Sequence, residues 1–272
     1  MLIVKNILCF LLLAIFLIEI SFAQKGRRHS DKKDFDGMVL IPAGEMIGFE
    51  KKEKGNALVK VNSFLIDALP VTNEDFLQFA KANPVWRKNS VKKIFADRNY
   101  LTHWLNDSTF GSEVNPQSPV VNVSWYAVRA YAKWKNKRLL TTDEWEYVAL
   151  TSQKKANGKT DDVKNKTIID WYSKSGEKLI TSVGMQKPNY YKVYDLHGLI
   201  WEWVADFNSN LVTGESRGDK SFDSNLFCGA GSKSFSDVTD YASFMRYAFR
   251  GSLKAEYTVH NLGFRCAKNL DK

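Results

Sequence analysis

Asn261-Leu262-Gly263-Phe264-Arg265-Cys266, close to the C-terminus, is the stretch whose reading decides the fold. It does not stand alone. Upstream, in order, lie Met38-Val39-Leu40-Ile41-Pro42-Ala43-Gly44, Pro119-Val120-Val121-Asn122-Val123-Ser124-Trp125, Lys137-Arg138-Leu139-Leu140-Thr141-Thr142-Asp143-Glu144-Trp145-Glu146-Tyr147 and Gly198-Leu199-Ile200-Trp201-Glu202-Trp203. These five blocks run from about Met38 to Ala267 and mark out a single domain over 38–268.

What precedes them is of a different kind. Residues 1–23 read as an export signal: Lys5 gives a positive start, Ile7 to Ile18 is almost wholly apolar, and Ser21-Phe22-Ala23 puts small residues where a signal peptidase reads. The apolar run is shorter than the about 20 residues of a spanning helix. An uncleaved anchor is the alternative, because Glu19 and the basic residues after Gln24 flank the run. Cys9 lacks the small residue before it that a lipoprotein signal shows. The expected location is therefore secreted or periplasmic, with no transmembrane helix after signal cleavage. Residues 24–37 follow as a basic linker, in which Lys25, Arg27, Arg28, Lys32 and Lys33 crowd a short stretch with only Asp31 among them. They carry much of the net charge of +9. A solvated tail and a contact with anionic lipid or polysaccharide are the two readings. No nucleic-acid motif is present.

Hydrophobic content of 44% and eight tryptophans exclude a disordered chain. Met38 to Ile41 is a short apolar strand stopped by Pro42 and Gly44. Val59 to Ile66 alternates as one half-buried strand does. Three helices are signalled. Thr72 with Asp75 caps the first, which turns Phe76, Phe79 and Ala80 to one face. Ser124 starts the second, with Ala127, Ala130, Tyr131 and Trp134 as its apolar stripe. Thr141 with Glu144 caps the third, which carries Trp145, Tyr147 and Ala149. Ser152 to Lys166 is polar and lysine-rich and reads as a surface loop, and from Trp171 onward the pattern is of short strands and long loops.

The five blocks, in this order and at these separations, resemble the formylglycine-generating enzyme (sulfatase-modifying factor) family. The resemblance implies an irregular α+β fold related to C-type lectins, low in regular secondary structure. It also implies an activity: oxidases of the family hold Cu(I) on two cysteines, and the copper activates O2 to turn a peptide cysteine into formylglycine. Counting back from Arg265 puts Arg250 and Arg246-Tyr247 on the family's arginine positions and the two copper positions on Ala242 and Asp237. Alanine binds no metal, and an aspartate oxygen is a hard ligand, poorly matched to Cu(I). No cysteine lies between Cys228 and Cys266. Copper is thus not expected as a cofactor, and no catalytic residue is assigned.

The same resemblance implies that Asp237, Asp240, Tyr241, Phe244, Arg246 and Arg250 line a groove for substrate or partner; packing of the core is the alternative. It implies a structural calcium site on Asp195, Gly198, Ile200 and Glu202, where hard oxygen donors and a glycine bend suit Ca²⁺. The alternative there is a turn held by Asp195, with Glu202 paired to an arginine. It places the strands bearing Cys228 and Cys266 near each other, so that a disulfide between them competes with two free buried thiols. Among the histidines, Thr102-His103-Trp104 suggests a pocket edge, and none sits at metal-ligand spacing with another. Three functions remain open: an exported, catalytically silent domain that binds an extended peptide, an envelope protein or a glycan; a formylglycine-generating oxidase; and a lectin-like glycan-binding module.

Overall fold

Met38–Ile41 (β1) is the expected strand, ended by Pro42. The chain restarts at once: Gly44–Lys52 (β2) and Gly55–Val61 (β3) pair as an antiparallel hairpin in which Gly44 faces Val61. A Cβ at Gly44 would lie 2.2 Å from the Tyr147 hydroxyl, so a larger residue there would have to displace that side chain. Phe64–Asp67 (β4) is a separate strand. The single strand read over Val59 to Ile66 is thus two, broken at Asn62-Ser63. The physical reason is that β4 lies between two partners and buries Phe64, Leu65 and Ile66 in succession, which alternation does not describe. The computed structural model describes residues 36–52, 55–173, 180–208 and 238–270. The expected signal peptide, most of the linker, Cys228 and Asp237 lie outside the described residues.

The three signalled helices form. In Asn73–Ala82 (α1) Thr72 and Asp75 make a reciprocal capping box, and Phe76, Phe79 and Ala80 are buried. Trp125–Trp134 (α2) starts at Ser124, whose hydroxyl accepts from Ala127 N. Its buried stripe is Ala127, Val128, Tyr131 and Ala132. Trp134, expected inward, is 39% exposed, with its ring tilted against Phe79. Arg138–Leu139 (β5) leads into Thr142–Ala149 (α3), again with a capping box, Thr141 to Glu144.

Two further helices lie where loops and short strands were expected. Asp162–Tyr172 (α4) begins inside the lysine-rich segment, capped by the Asp161 side chain. It buries only Ile168 and Trp171, too few to give an apolar period. Trp201–Glu202 (β6) follows. Val238–Gly251 (α5) then turns arginines inward, so its inner face does not read as hydrophobic.

The C-terminal stretch joins two of the three sheets among the described residues. Leu262–Gly263 (β7) runs parallel to β6, with Trp201 opposite Leu262 and Glu202 opposite Gly263. Two residues later Cys266–Asn269 (β8) enters an antiparallel sheet of order β1-β4-β8-β5. Phe264, between them, meets Tyr131 at 5.2 Å and Phe76 at 6.2 Å, so α1 and α2 pack on this crossing. Among the described residues no helix is long and apolar enough to cross a membrane.

Gly263 shows how tight the crossing is. A Cβ there would stand 2.3 Å from the Val120 carbonyl oxygen and 2.8 Å from Ile200 Cδ1. Backbone cannot yield as a side-chain tip does. Gly263→Ala is expected to lower stability by about 2–3 kcal/mol, measured by urea titration; a loss within about 0.5 kcal/mol would mean that the crossing has slack.

Candidate functional site

Two buried ion-pair networks sit side by side beneath α5 and the C-terminal crossing. The first is centred on Arg265, which is fully buried. Its Nε donates to both Glu202 carboxylate oxygens at 2.9 and 3.0 Å, and its Nη2 lies 2.8 Å from Glu202 Oε1. The same guanidinium donates to the carbonyls of Tyr194 (2.8 Å), Ala68 (3.2 Å) and Asp67 (3.3 Å). It thereby ties β6, the end of β4 and the turn before Asp195. Glu202 Oε2 also accepts from Trp145 Nε1 at 2.8 Å.

The second is centred on Glu146, which sequence reasoning missed. It lies on the buried face of α3 between Thr142 and Ala149. Arg246 Nε and Nη2 donate to it at 2.8 and 2.6 Å, and Arg250 Nη1 at 2.6 Å. Arg246 further donates to Tyr172 Oη (3.1 Å) and Ser243 Oγ (2.9 Å). Burial alone would raise the Glu146 carboxyl, but the two guanidiniums hold it at about 2. Trp145 separates the networks: one side bonds Glu202, and its ring carries the Arg250 and Arg246 guanidiniums at 4.9 and 5.5 Å. The only signal in the sequence was an acid on the inward face of an amphipathic helix.

A small pocket opens over the second network. Trp171 and Tyr172 of α4, Trp201 of β6 and Phe249 of α5 wall it, with Arg246, Arg250 and His197 deeper in. Trp201 is stacked between Tyr172 (4.9 Å) and Phe249 (4.5 Å). The free space holds at most one water-sized group. His197 stands edge-on to Trp145 at 5.6 Å, with Nε2 3.2 Å from the Ala149 carbonyl. Burial, then Arg246, lowers its pKa to about 3, so it is neutral. Lys164 bonds the Leu150 carbonyl at 2.9 Å, and burial and Arg246 bring it down to about 8.

Of the residues read as a groove, the structure brings Arg246 and Arg250 together but turns both inward onto Glu146. Tyr241 is 39% exposed and Phe244 half-buried on the same helix. Asp240 is placed on α5, and Asp237 lies outside the described residues. Ala242, which the sequence count set against a copper position, is buried, and its carbonyl accepts from Tyr172 Oη at 3.5 Å. Cys266 is buried with a free thiol among the described residues. Burial, and Asp67 beside it, push that thiol well above its usual pKa.

The residues expected to bind calcium divide. Asp195 has a left-handed backbone (φ 54°) and is buried. Its Oδ2 accepts from Gly184 N, while its Oδ1 is buried with no hydrogen-bond partner. Gly198, at φ 92°, makes the bend, and Ile200 is buried two residues on. Glu202 has no oxygen to spare, since Arg265 and Trp145 occupy both. Among the described residues no group of three or more His, Cys, Asp or Glu converges on one point. His103 is structural: its Nε2 lies 3.0 Å from Asn73 Oδ1, which also accepts from Trp104 Nε1 at 2.8 Å.

Mixed strands and helices on an irregular frame, with an arginine-bearing crossing at the C-terminus, define the class of protein. Residues 24–270 match the sulfatase-modifying factor enzyme 1-like domain, and the chain belongs to that family. It is 31% identical to a formylglycine-generating enzyme of Streptomyces coelicolor, over 86% of this chain and 90% of that one. It is 30% identical to the inactive C-alpha-formylglycine-generating enzyme 2 of Bos taurus, over 77% of this chain and 78% of that one. It is also 27% identical to the serine/threonine-protein kinase pkn1 of Chlamydia pneumoniae, over 62% of this chain but only 28% of the kinase's length. The family thus holds proteins named as enzymes and proteins named as inactive.

Proposed function

We propose that this chain is a catalytically silent member of the family, exported to the cell envelope, that works by binding a peptide or protein partner through the face around α5. The observation that carries this is the loss of both copper thiols, to Ala242 and Asp237. Cu(I) is held by thiolates, and the one cysteine among the described residues, Cys266, is buried in the sheet with its thiol held protonated. Arg246 and Arg250 are engaged with Glu146, so their retention serves packing as well as it would serve an oxidase. Export rests on the apolar run at Ile7 to Ile18. Calcium, where bound, would be structural, held through Asp195 and the backbone near Gly198 and Ile200, with Glu202 serving Arg265 instead.

The second reading is an oxidase working through other ligands, favoured by 31% identity to a protein named as the enzyme. Mass spectrometry of a Cys-x-Pro-x-Arg peptide incubated with the protein, Cu(I), a reductant and O2 separates the two. No conversion is expected, with an active family enzyme converting the peptide in a parallel tube. Formylglycine in the product would overturn the silent reading.

A further inference from the structure

The segment that follows α1 carries a surface that the two ion-pair networks do not use. Between Lys81 and Arg98 lie six cations and one acid. That acid, Asp97, is taken up by Thr258, whose backbone N donates to it at 3.1 Å and whose hydroxyl donates as well. No carboxylate of the described residues comes within ion-pair distance of the six cations. Apolar groups stand among these charges. Val85, Ile94 and Leu105 are 67%, 72% and 69% exposed, three of the five most exposed large apolar side chains among the described residues. Each is the chain neighbour of an anchoring ring: Val85 of Trp86, Ile94 of Phe95, and Leu105 of the buried Trp104. The Trp86 and Phe95 rings meet at 5.8 Å, and Lys88 donates to the carbonyls of Thr102 (3.3 Å) and Trp104. Asn89 N donates to Asp107 Oδ1 at 2.7 Å. These contacts fold 84–95 onto 102–107 as one surface layer, and its anchors hold the three aliphatics outward.

The mixture selects the partner. A soluble polyanion would meet the lysines and arginines and leave the aliphatics in water. A protein interface gathers its apolar groups at the centre and is depleted of lysine. Aliphatics scattered among cations suit the boundary of an anionic bilayer, where the charges meet headgroups and the apolar tips enter the edge of the acyl region. We propose that the layer 84–107, with Lys81 joined to it through the Arg87 bond to the Lys81 carbonyl (3.1 Å), docks on an anionic lipid surface. The layer is built from elements other than α5, so it stands whether or not the binding reading above holds.

The test is amide hydrogen exchange of the full chain with vesicles of phosphatidylglycerol or of phosphatidylcholine. A local readout separates this layer from the apolar run and the basic linker near the N-terminus. Amides of 85–95 and 102–107 are expected to gain protection with phosphatidylglycerol and not with phosphatidylcholine. Lys92→Gln combined with Lys93→Gln removes two exposed charges and should raise the lipid needed for half protection about thirtyfold. Ile94→Ser combined with Leu105→Ser keeps every charge and should raise it about tenfold. Both pairs lie at exposed positions, and either tests the point should the other fail to fold. No protection with phosphatidylglycerol, or equal protection with phosphatidylcholine, overturns the proposal, as does an unchanged lipid requirement in a folded lysine variant. An unchanged requirement in the folded serine variant overturns it too, and makes the layer a surface for soluble polyanions instead.

Discussion

Glu146→Gln should cost about 3–5 kcal/mol, a fall of about 10 °C in melting temperature. Glutamine keeps the shape but not the charge, and leaves Arg246 and Arg250 buried together without a counter-ion. Truncating one member of a buried pair is costly because the other remains desolvated. Here one carboxylate serves two guanidiniums, so the loss is doubled in kind. The variant should also alter the acid limb of stability. Because the folded pKa, about 2, lies below the usual 4.5, the stabilisation is complete above about pH 4.5 and is lost as pH falls toward 2. Wild-type melting temperature should drop across that window, and the glutamine variant should run flatter there while starting lower. Thermal melts at a series of pH values from 2 to 7 read both effects. Parallel curves for the two proteins would show that Glu146 is not the group whose titration matters.

Arg265→Met should be as damaging, at about 3–5 kcal/mol, and is expected to reduce soluble yield. Methionine fills much of the volume, so the effect isolates the charge and the donors from packing. Three carbonyls, at Asp67, Ala68 and Tyr194, lose a donor, and Glu202 is left with Trp145 alone. A double-mutant cycle with Glu202→Gln measures the pair itself. Strong coupling is expected, with the double variant losing much less than the two single losses combined. Strict additivity would mean that Arg265 acts through the carbonyls and not through Glu202. The result bears on calcium as well. If Glu202 is Arg265's partner, Ca²⁺ should leave the melting temperature of Glu202→Gln shifted as it shifts the wild type.

Parts of this fold were legible in the sequence because they are local. The capping boxes Thr72–Asp75 and Thr141–Glu144 close within one helical turn, so residue identity and spacing suffice to place them. Strand β1 is bounded by a proline for an equally local reason. Helices α4 and α5 were not legible, since what they turn inward is in part polar: Arg246 and Arg250 look like surface residues until their partner is known. That partner, Glu146, is 100 residues from Arg246. For Glu202 the sequence reading favoured a metal ligand over an arginine partner, and the geometry gives it to Arg265.

The sequence by itself determined the family, through five blocks in order, and with it the α+β frame, because short motifs and their order are written in residue identity and spacing. Only the tertiary structure decided which charges meet. A buried arginine can persist only where an acid is brought within hydrogen-bond reach, and the crossing of β7 and β8 and the packing of α5 against α4 set that distance, not the spacing along the chain.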